Sequence, residues 1–131
     1  MVAIVALALA MTWRAPVFLP QLTGAAPTLP EGDQRVFGYA TLSSPLVRGV
    51  VAGRRLPGEP AVLAGWERVG RHLRPDPQAE VEGVVFTVTP RALHRLDRYE
   101  RAGERYLRER KELADGSEAW VYRLIYWGGG R

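Results

Sequence analysis

"VEGVVFTVTPRALHRLDRYE", residues 81–100, changes its hydrophobic period halfway along, and that change decides the fold class. Val81–Val88 is a run of apolar and β-branched residues, the length of a strand and suited to burial on both faces. Thr89 and Pro90 then supply an N-cap and a first helical residue. Beyond them the apolar residues recur at helical spacing. At about 100° per residue, Leu93, Leu96 and Tyr99 share one face with Ala92, while Arg91, His94, Arg95, Arg98 and Arg101 share the other. Gly103 is the expected stop.

One residue of this helix is misplaced. Glu100 falls close to the Leu93–Leu96 line, on the side that should be buried, with Asp97 at the border. Desolvation and the negative end of the helix dipole both raise the pKa of such a carboxylate. A glutamate tuned upward is what a general acid/base requires near neutral pH. The alternative is that the helix ends early and Glu100 swings out to pair with Arg105 or Arg108. Periodicity leaves both readings open.

Outward from this segment, "RVFGYATL" (35–42) reads as a first strand. A short helix follows, with Ser44 as cap, Pro45 as its first residue and Gly53 at its end. "AVLAGWERVG" (61–70) reads as a strand, and "RHLRPDPQ" (71–78) as a loop because of its two prolines. A final hairpin runs from "RYLRERKEL" through an Asp115-Gly116 turn into "EAWVYRLIYW". Trp120, Tyr122, Leu124 and Tyr126 alternate along its second strand, a pattern of core packing or of a pocket wall. Mostly strands, one or two helices and no βαβ alternation predict an α+β domain with a small barrel-like sheet.

The chain of 131 residues is long enough for one domain with a single core. Residues 1–34 divide into an apolar N-terminal segment and a Pro/Gly/Ala-rich linker, the domain is expected over 35–127, and 128–131 form a tail. "MVAIVALALAM" is shorter than the about 20 residues that span a bilayer, and no basic residue precedes it as in a signal peptide. A cytoplasmic location is expected, with export or tethering through residues 1–13 as the alternative.

The absence of cysteine removes disulfides, thiolate metal sites and a cysteine nucleophile. His72 and His94 have no third ligand in pattern, so no metal is expected. Ser43 and Ser44 lack a nucleophile-elbow context. The net charge of +4 invites a nucleic-acid reading, but of 18 basic residues only Lys111 is a lysine, and the arginines are interleaved with acids along the chain. That distribution fits GC-rich coding better than a binding patch, and nucleic acid is not expected as a partner.

The strand "VFGYATL", the segment "VEGVVFTVTPRALHRLDRYE", then "YLR" and "DGSEAWVYR" together resemble the γ-glutamylcyclotransferase-like superfamily, in particular its avirulence-induced-protein and γ-glutamylamine cyclotransferase branch. The likeness covers about residues 35–125. It implies a small mixed β-barrel with flanking short helices, and an enzyme that releases 5-oxoproline and an amine from γ-glutamyl amines or peptides without a cofactor. It implies Glu100 as the general acid/base and the loop Tyr39, Ala40, Thr41 and Leu42 as the holder of the glutamyl group. Tyr106 and Arg108 match the family's "YxR" and are expected to line the pocket. Ala40 stands where the family has glycine, which motivates the alternative of a non-catalytic small-ligand binding module on the same fold; a basic nucleic-acid or membrane-surface protein is the third reading. Arg48, Arg54, Arg55 and Arg108 are expected near the mouth, where they would favour substrates with an extra carboxylate. A monomer or weak dimer is expected.

Overall fold

The computed structural model describes residues 19–22 and 24–125. The apolar segment 1–13, Tyr126 and the tail 128–131 lie outside the described residues. The elements are β1 (Gln34–Gly38), a 3-10 turn (Thr41–Ser43), α1 (Pro45–Ala52), β2 (Glu59–Val69), β3 (His72–Val88), α2 (Pro90–Glu100), β4 (Tyr106–Glu112) and β5 (Glu118–Leu124).

Five strands form one sheet in the order β2-β3-β1-β5-β4. β1 runs parallel to β5 and antiparallel to β3, and the two outer pairs are antiparallel hairpins. The sheet is curled into a half-barrel. Its two edges approach each other where the Ala114 amide donates to the Val62 carbonyl at 2.8 Å and the Lys111 ammonium sits 3.9 Å from the Trp66 ring centre. This is the mixed α+β architecture the sequence predicts.

Period-two alternation builds a core on each face of the sheet. Val36, Phe86, Val88 and Tyr122 pack with Val51, Ala52, Ala92, Leu93 and Leu96 of the helices. Phe37, Leu63, Leu73, Val81, Val85, Ala119 and Val121 pack inside the curl with Leu113. Both helices begin where the sequence places their caps. The Ser44 hydroxyl accepts from the Val47 amide at 3.4 Å and the Thr89 hydroxyl from the Ala92 amide at 3.1 Å. α1 ends at Gly53 in the left-handed conformation.

Three local expectations differ from the structure. The first strand stops at Gly38, and the chain turns at Tyr39 and Ala40 into the 3-10 turn. α2 is closed by Arg101, with φ 51°, and Gly103 follows within the next turn. Residues 71–78 are largely strand rather than loop, because β3 begins at His72 and runs through both prolines. The reason lies in the pairing. β1 covers only Val84–Val88 of β3, so Pro75 and Pro77 lie on a ribbon paired with β2 on one side only. A missing N–H is tolerated there. The residues between Pro75 and Glu80 bulge where the register jumps from Ala64 to Trp66, and the Asp76 carboxylate accepts from the Gln78 amide at 2.9 Å.

The stretch ahead of β1 lies along the domain. Arg98 donates to the carbonyls of Leu19 and Pro20 at 2.8 and 3.0 Å, and Arg108 donates to the Thr28 carbonyl at 3.0 Å. A β-carbon at Gly103 would collide with the Ala25 carbonyl, so this crossing depends on glycine. Among the described residues no helix is long and apolar enough to cross a membrane.

Candidate active site

β1 ends at the mouth of a cavity of about 180 Å³. Three segments meet there. The loop after β1 contributes Tyr39, Ala40, Thr41 and Leu42, the end of α2 contributes Tyr99 and Glu100, and the start of β4 contributes Tyr106. The floor includes Phe37, Gly38 and Tyr122, and the rim carries Arg71 and Arg105.

The loop is shaped by close packing and by two arginines. A β-carbon at Gly38 would lie 2.7 Å from the Leu42 carbonyl oxygen and 2.8 Å from its carbon, so the loop can fold back only over glycine. Ala40 has φ −114° and ψ −118°, outside the left-handed region and also outside the regular helical and extended regions. A β-carbon is excluded by contact at Gly38, two residues before the position where Ala40 departs from the family pattern. Arg48, almost fully buried, donates to the carbonyls of Leu42, Ser43 and Leu56 at 3.0, 2.9 and 2.9 Å. From the other side Arg68 donates to the Tyr39 carbonyl at 2.6 Å. The Tyr39 hydroxyl donates to the Tyr122 carbonyl at 2.6 Å. The 3-10 turn uses the amides of Ser43 and Ser44, bonded to the carbonyls of Ala40 and Thr41 at 3.1 Å each. The amides of Thr41 and Leu42 precede these and are not used by the turn.

Gly38→Ala tests this packing. The added carbon is expected to destabilise the domain by about 1–3 kcal/mol and to displace the loop. Denaturant unfolding would report the first effect; loss of ligand binding out of proportion to it would report the second.

Glu100 is the last residue of α2 and only 8% exposed. It makes no ion pair or side-chain hydrogen bond among the described residues, so neither Arg105 nor Arg108 draws it out of the cavity. Burial pushes its carboxyl up to about 7, against the opposing pull of the Arg105 and Arg71 charges. A carboxylate at this value exchanges its proton readily at neutral pH. Burial also raises the hydroxyls of Tyr39 and Tyr106, with the nearby carboxylate of Glu100 adding to both, so these tyrosines stay neutral donors. The Tyr99 hydroxyl donates to Thr41 Oγ1 at 3.3 Å, tying the last turn of α2 to the loop.

Arg108 does not line the cavity. Asp97, one helical turn before Glu100 and fully buried, accepts from Arg108 Nε at 2.8 Å and from the Tyr122 hydroxyl at 2.6 Å, both at Oδ1. The guanidinium also lies 4.4 Å from the centre of the Trp120 ring. Burial raises the Asp97 carboxyl, and the bonds from Tyr122 and Arg108 pull it back down. Through Tyr122 this buried pair braces the residue whose carbonyl holds Tyr39, so it positions the site from beneath. The expected basic mouth is corrected in the same way. Arg48 is a buried loop brace, and Arg54 and Arg55 border a separate hollow with Arg35 and Glu59.

Of the residues expected at the site, Tyr39, Ala40, Thr41, Leu42, Tyr106 and Glu100 line this one cavity, and Tyr122, expected as core or pocket wall, lies in its floor; Phe37, Gly38, Arg71, Tyr99 and Arg105 were not expected there. Gly70, between two strand-like runs, was the available signal for a hairpin that carries Arg71 back to Tyr39. Among the described residues no group of three or more His, Asp or Glu is placed to hold a metal ion.

Comparison with known proteins agrees with this fold. No curated protein sequence matches the chain. Among solved structures, the solution structure of one Arabidopsis thaliana protein is 22% identical, with 76% of this chain and 67% of that one covered and a TM-score of 0.62. A second Arabidopsis thaliana protein is 25% identical, with 79% and 74% covered and a TM-score of 0.59. A gamma-glutamyl cyclotransferase shares the fold at 14% identity, with 71% and 67% covered and a TM-score of 0.57. The family described as gamma-glutamyl cyclotransferase, AIG2-like, matches residues 36–126, and with this span covering most of the domain the chain belongs to that family.

Proposed function

We propose that the protein is a γ-glutamyl cyclotransferase, converting a γ-glutamyl amine or peptide to 5-oxoproline and a free amine. The observation that carries this reading is the one carboxylate in the cavity lining, pushed by burial to about 7 and facing a loop whose leading amides are not used by its own turn.

The reaction needs a folded-back substrate, one proton shuttle and donors for a developing oxyanion. The substrate's α-amine attacks its own γ-amide carbonyl carbon, and a five-membered ring closes. Glu100 takes the proton that the attacking nitrogen sheds. The carbonyl oxygen gains negative charge, which the amides of Thr41 and Leu42 stabilise. As the tetrahedral centre collapses, the C–N bond to the departing amine breaks and Glu100 returns the proton to that nitrogen. Atoms and charge balance without water. Tyr39 and Tyr106 remain neutral, and together with Tyr99 they shape the pocket around the glutamyl chain.

Mass spectrometry of a panel including γ-glutamyl-ε-lysine and glutathione tests the reading. At least one compound should yield 5-oxoproline and its amine in equal amounts. A folded protein that binds such compounds and releases no 5-oxoproline would instead be a binding module on this fold.

A further inference from the structure

Glu100 owes its place in the cavity to the backbone that follows it, and that backbone is held in an uncommon shape. α2 closes at Arg101 with φ 51° and ψ 55°, a left-handed conformation that a residue with a side chain adopts only where its surroundings hold it. Part of the hold is internal. The Arg101 carbonyl accepts from the amides of Glu104 and Arg105 at 3.0 and 2.8 Å. The rest comes from the stretch ahead of β1, which lies outside the span 36–126. That stretch is anchored at three places around Glu100. Two residues before the glutamate, Arg98 donates to the carbonyls of Leu19 and Pro20 at 2.8 and 3.0 Å, and Leu19 is buried. Three residues after it, Gly103 passes so close to the Ala25 carbonyl that no β-carbon fits. Arg108, bonded to the Thr28 carbonyl at 3.0 Å, is also the partner of Asp97, one turn before Glu100 on the same helix.

A carboxylate stays out of water only while the turn that carries it stays closed. The last turn of a helix has no onward hydrogen bonds of its own and opens first unless something ties it. We infer that the stretch from Leu19 to Thr28 is a strap that locks the end of α2 and so keeps Glu100 turned into the cavity, with Arg98 as its positioning residue. None of the described residues lining the cavity belongs to the strap, so it acts through the helix end and not through contact with substrate. The inference rests on the cyclotransferase reading for what Glu100 does there, whereas the hold on Glu100 itself is measurable without turnover.

NMR titration of the full chain reads the Glu100 carboxyl directly, its signal being the one lost in Glu100→Gln. The ionisable groups that face it are Tyr39 from the loop after β1, Arg71 from the β2–β3 turn, Arg105 and Tyr106 at the start of β4, and Tyr122 of β5. The test leaves all of them in place. Arg98→Ala cuts the tie from the helix side, and Leu19→Ser loosens it from the strap side. Each should lower the midpoint by about one pH unit, tenfold in proton affinity, as the carboxyl gains water. Loss of the Arg98 charge alone would raise the midpoint, so a fall reports release of the helix end. With the carboxylate displaced, kcat for 5-oxoproline release on its pH plateau should fall about tenfold. Arg98→Lys keeps a donor for the two carbonyls and should restore most of both. Arg91→Ala, at an exposed position early in α2, should change neither. Either strap variant decides the matter if the other does not fold. An unmoved midpoint in a protein that releases 5-oxoproline would keep the reaction and overturn the strap. A midpoint that falls in both variants, where the parent releases no 5-oxoproline from any compound, would keep the strap and overturn the reaction.

Discussion

Glu100→Gln is expected to lower 5-oxoproline release by about 10³-fold and at the same time to stabilise the fold above pH 7. The first effect follows from removing the one proton carrier in the cavity, a role worth about 10²–10⁴-fold in rate. Glutamine keeps the shape and the end of α2 but cannot take a proton from the attacking amine. The second effect is a matter of linkage. The Glu100 carboxyl titrates at about 7 in the fold against an ordinary 4.5. Below 4.5 it is protonated in both the folded and the unfolded chain, and its contribution to stability is fully present. As pH rises from 4.5 to 7 the unfolded chain ionises while the buried group does not, and stability is lost. Above 7 the loss levels off at about 3 kcal/mol as an upper figure. Glutamine has no such linkage, so the two proteins should unfold alike in acid and diverge with rising pH, the variant being the more stable. Denaturant unfolding across that range checks it. A variant less stable than the parent at pH 8 would contradict the burial argument.

Arg108→Ala should produce the largest loss of stability, about 3–5 kcal/mol, because it leaves the Asp97 carboxylate buried without its cation. The pair is enclosed on both sides, with neither side chain exposed. Asp97→Ala should cost a similar amount by stranding the guanidinium and the Tyr122 hydroxyl. The double variant should fall well short of the sum, since each single change already removes the shared interaction. Activity measured where all variants are folded gives a second readout. Loosening Tyr122 frees Tyr39, whose hydroxyl donates to the Tyr122 carbonyl, so kcat should fall as well. Additive losses would mean that Asp97 and Arg108 act independently.

The legible and illegible parts of the sequence divide along physical lines. The elements with local chemistry were readable: Thr89 and Ser44 cap their helices, Gly53 ends α1, and the alternation around Val81–Val88 is buried on both faces as its composition requires. Glu100 was readable because helical periodicity fixes its side of α2. What failed depended on partners distant in sequence. Pro75 and Pro77 read as loop because proline lacks an N–H, yet their ribbon has only one neighbour and needs none of those donors. Asp97 read as a border residue because nothing local announces that Arg108, on a later strand, will bury it. Arg108 read as pocket lining from the family pattern and is a brace beneath the pocket. Arg71 became visible at the rim only once the β2–β3 turn was folded against Tyr39, and Arg105 only once the connection between α2 and β4 was in place.

The most direct test of the central claim is the pH dependence of kcat/KM for 5-oxoproline release. Glu100 must be ionised to accept the amine's proton, so activity should rise through an acid limb near pH 7, the value to which burial pushes this carboxyl. With substrates whose amines differ in basicity, that limb should stay in place, while a second, higher limb set by deprotonation of the attacking amine moves with the substrate. A lower limb at the ordinary carboxylate value, or the absence of any limb near pH 7 that is independent of the substrate's amine, would contradict the assignment of Glu100 as the base.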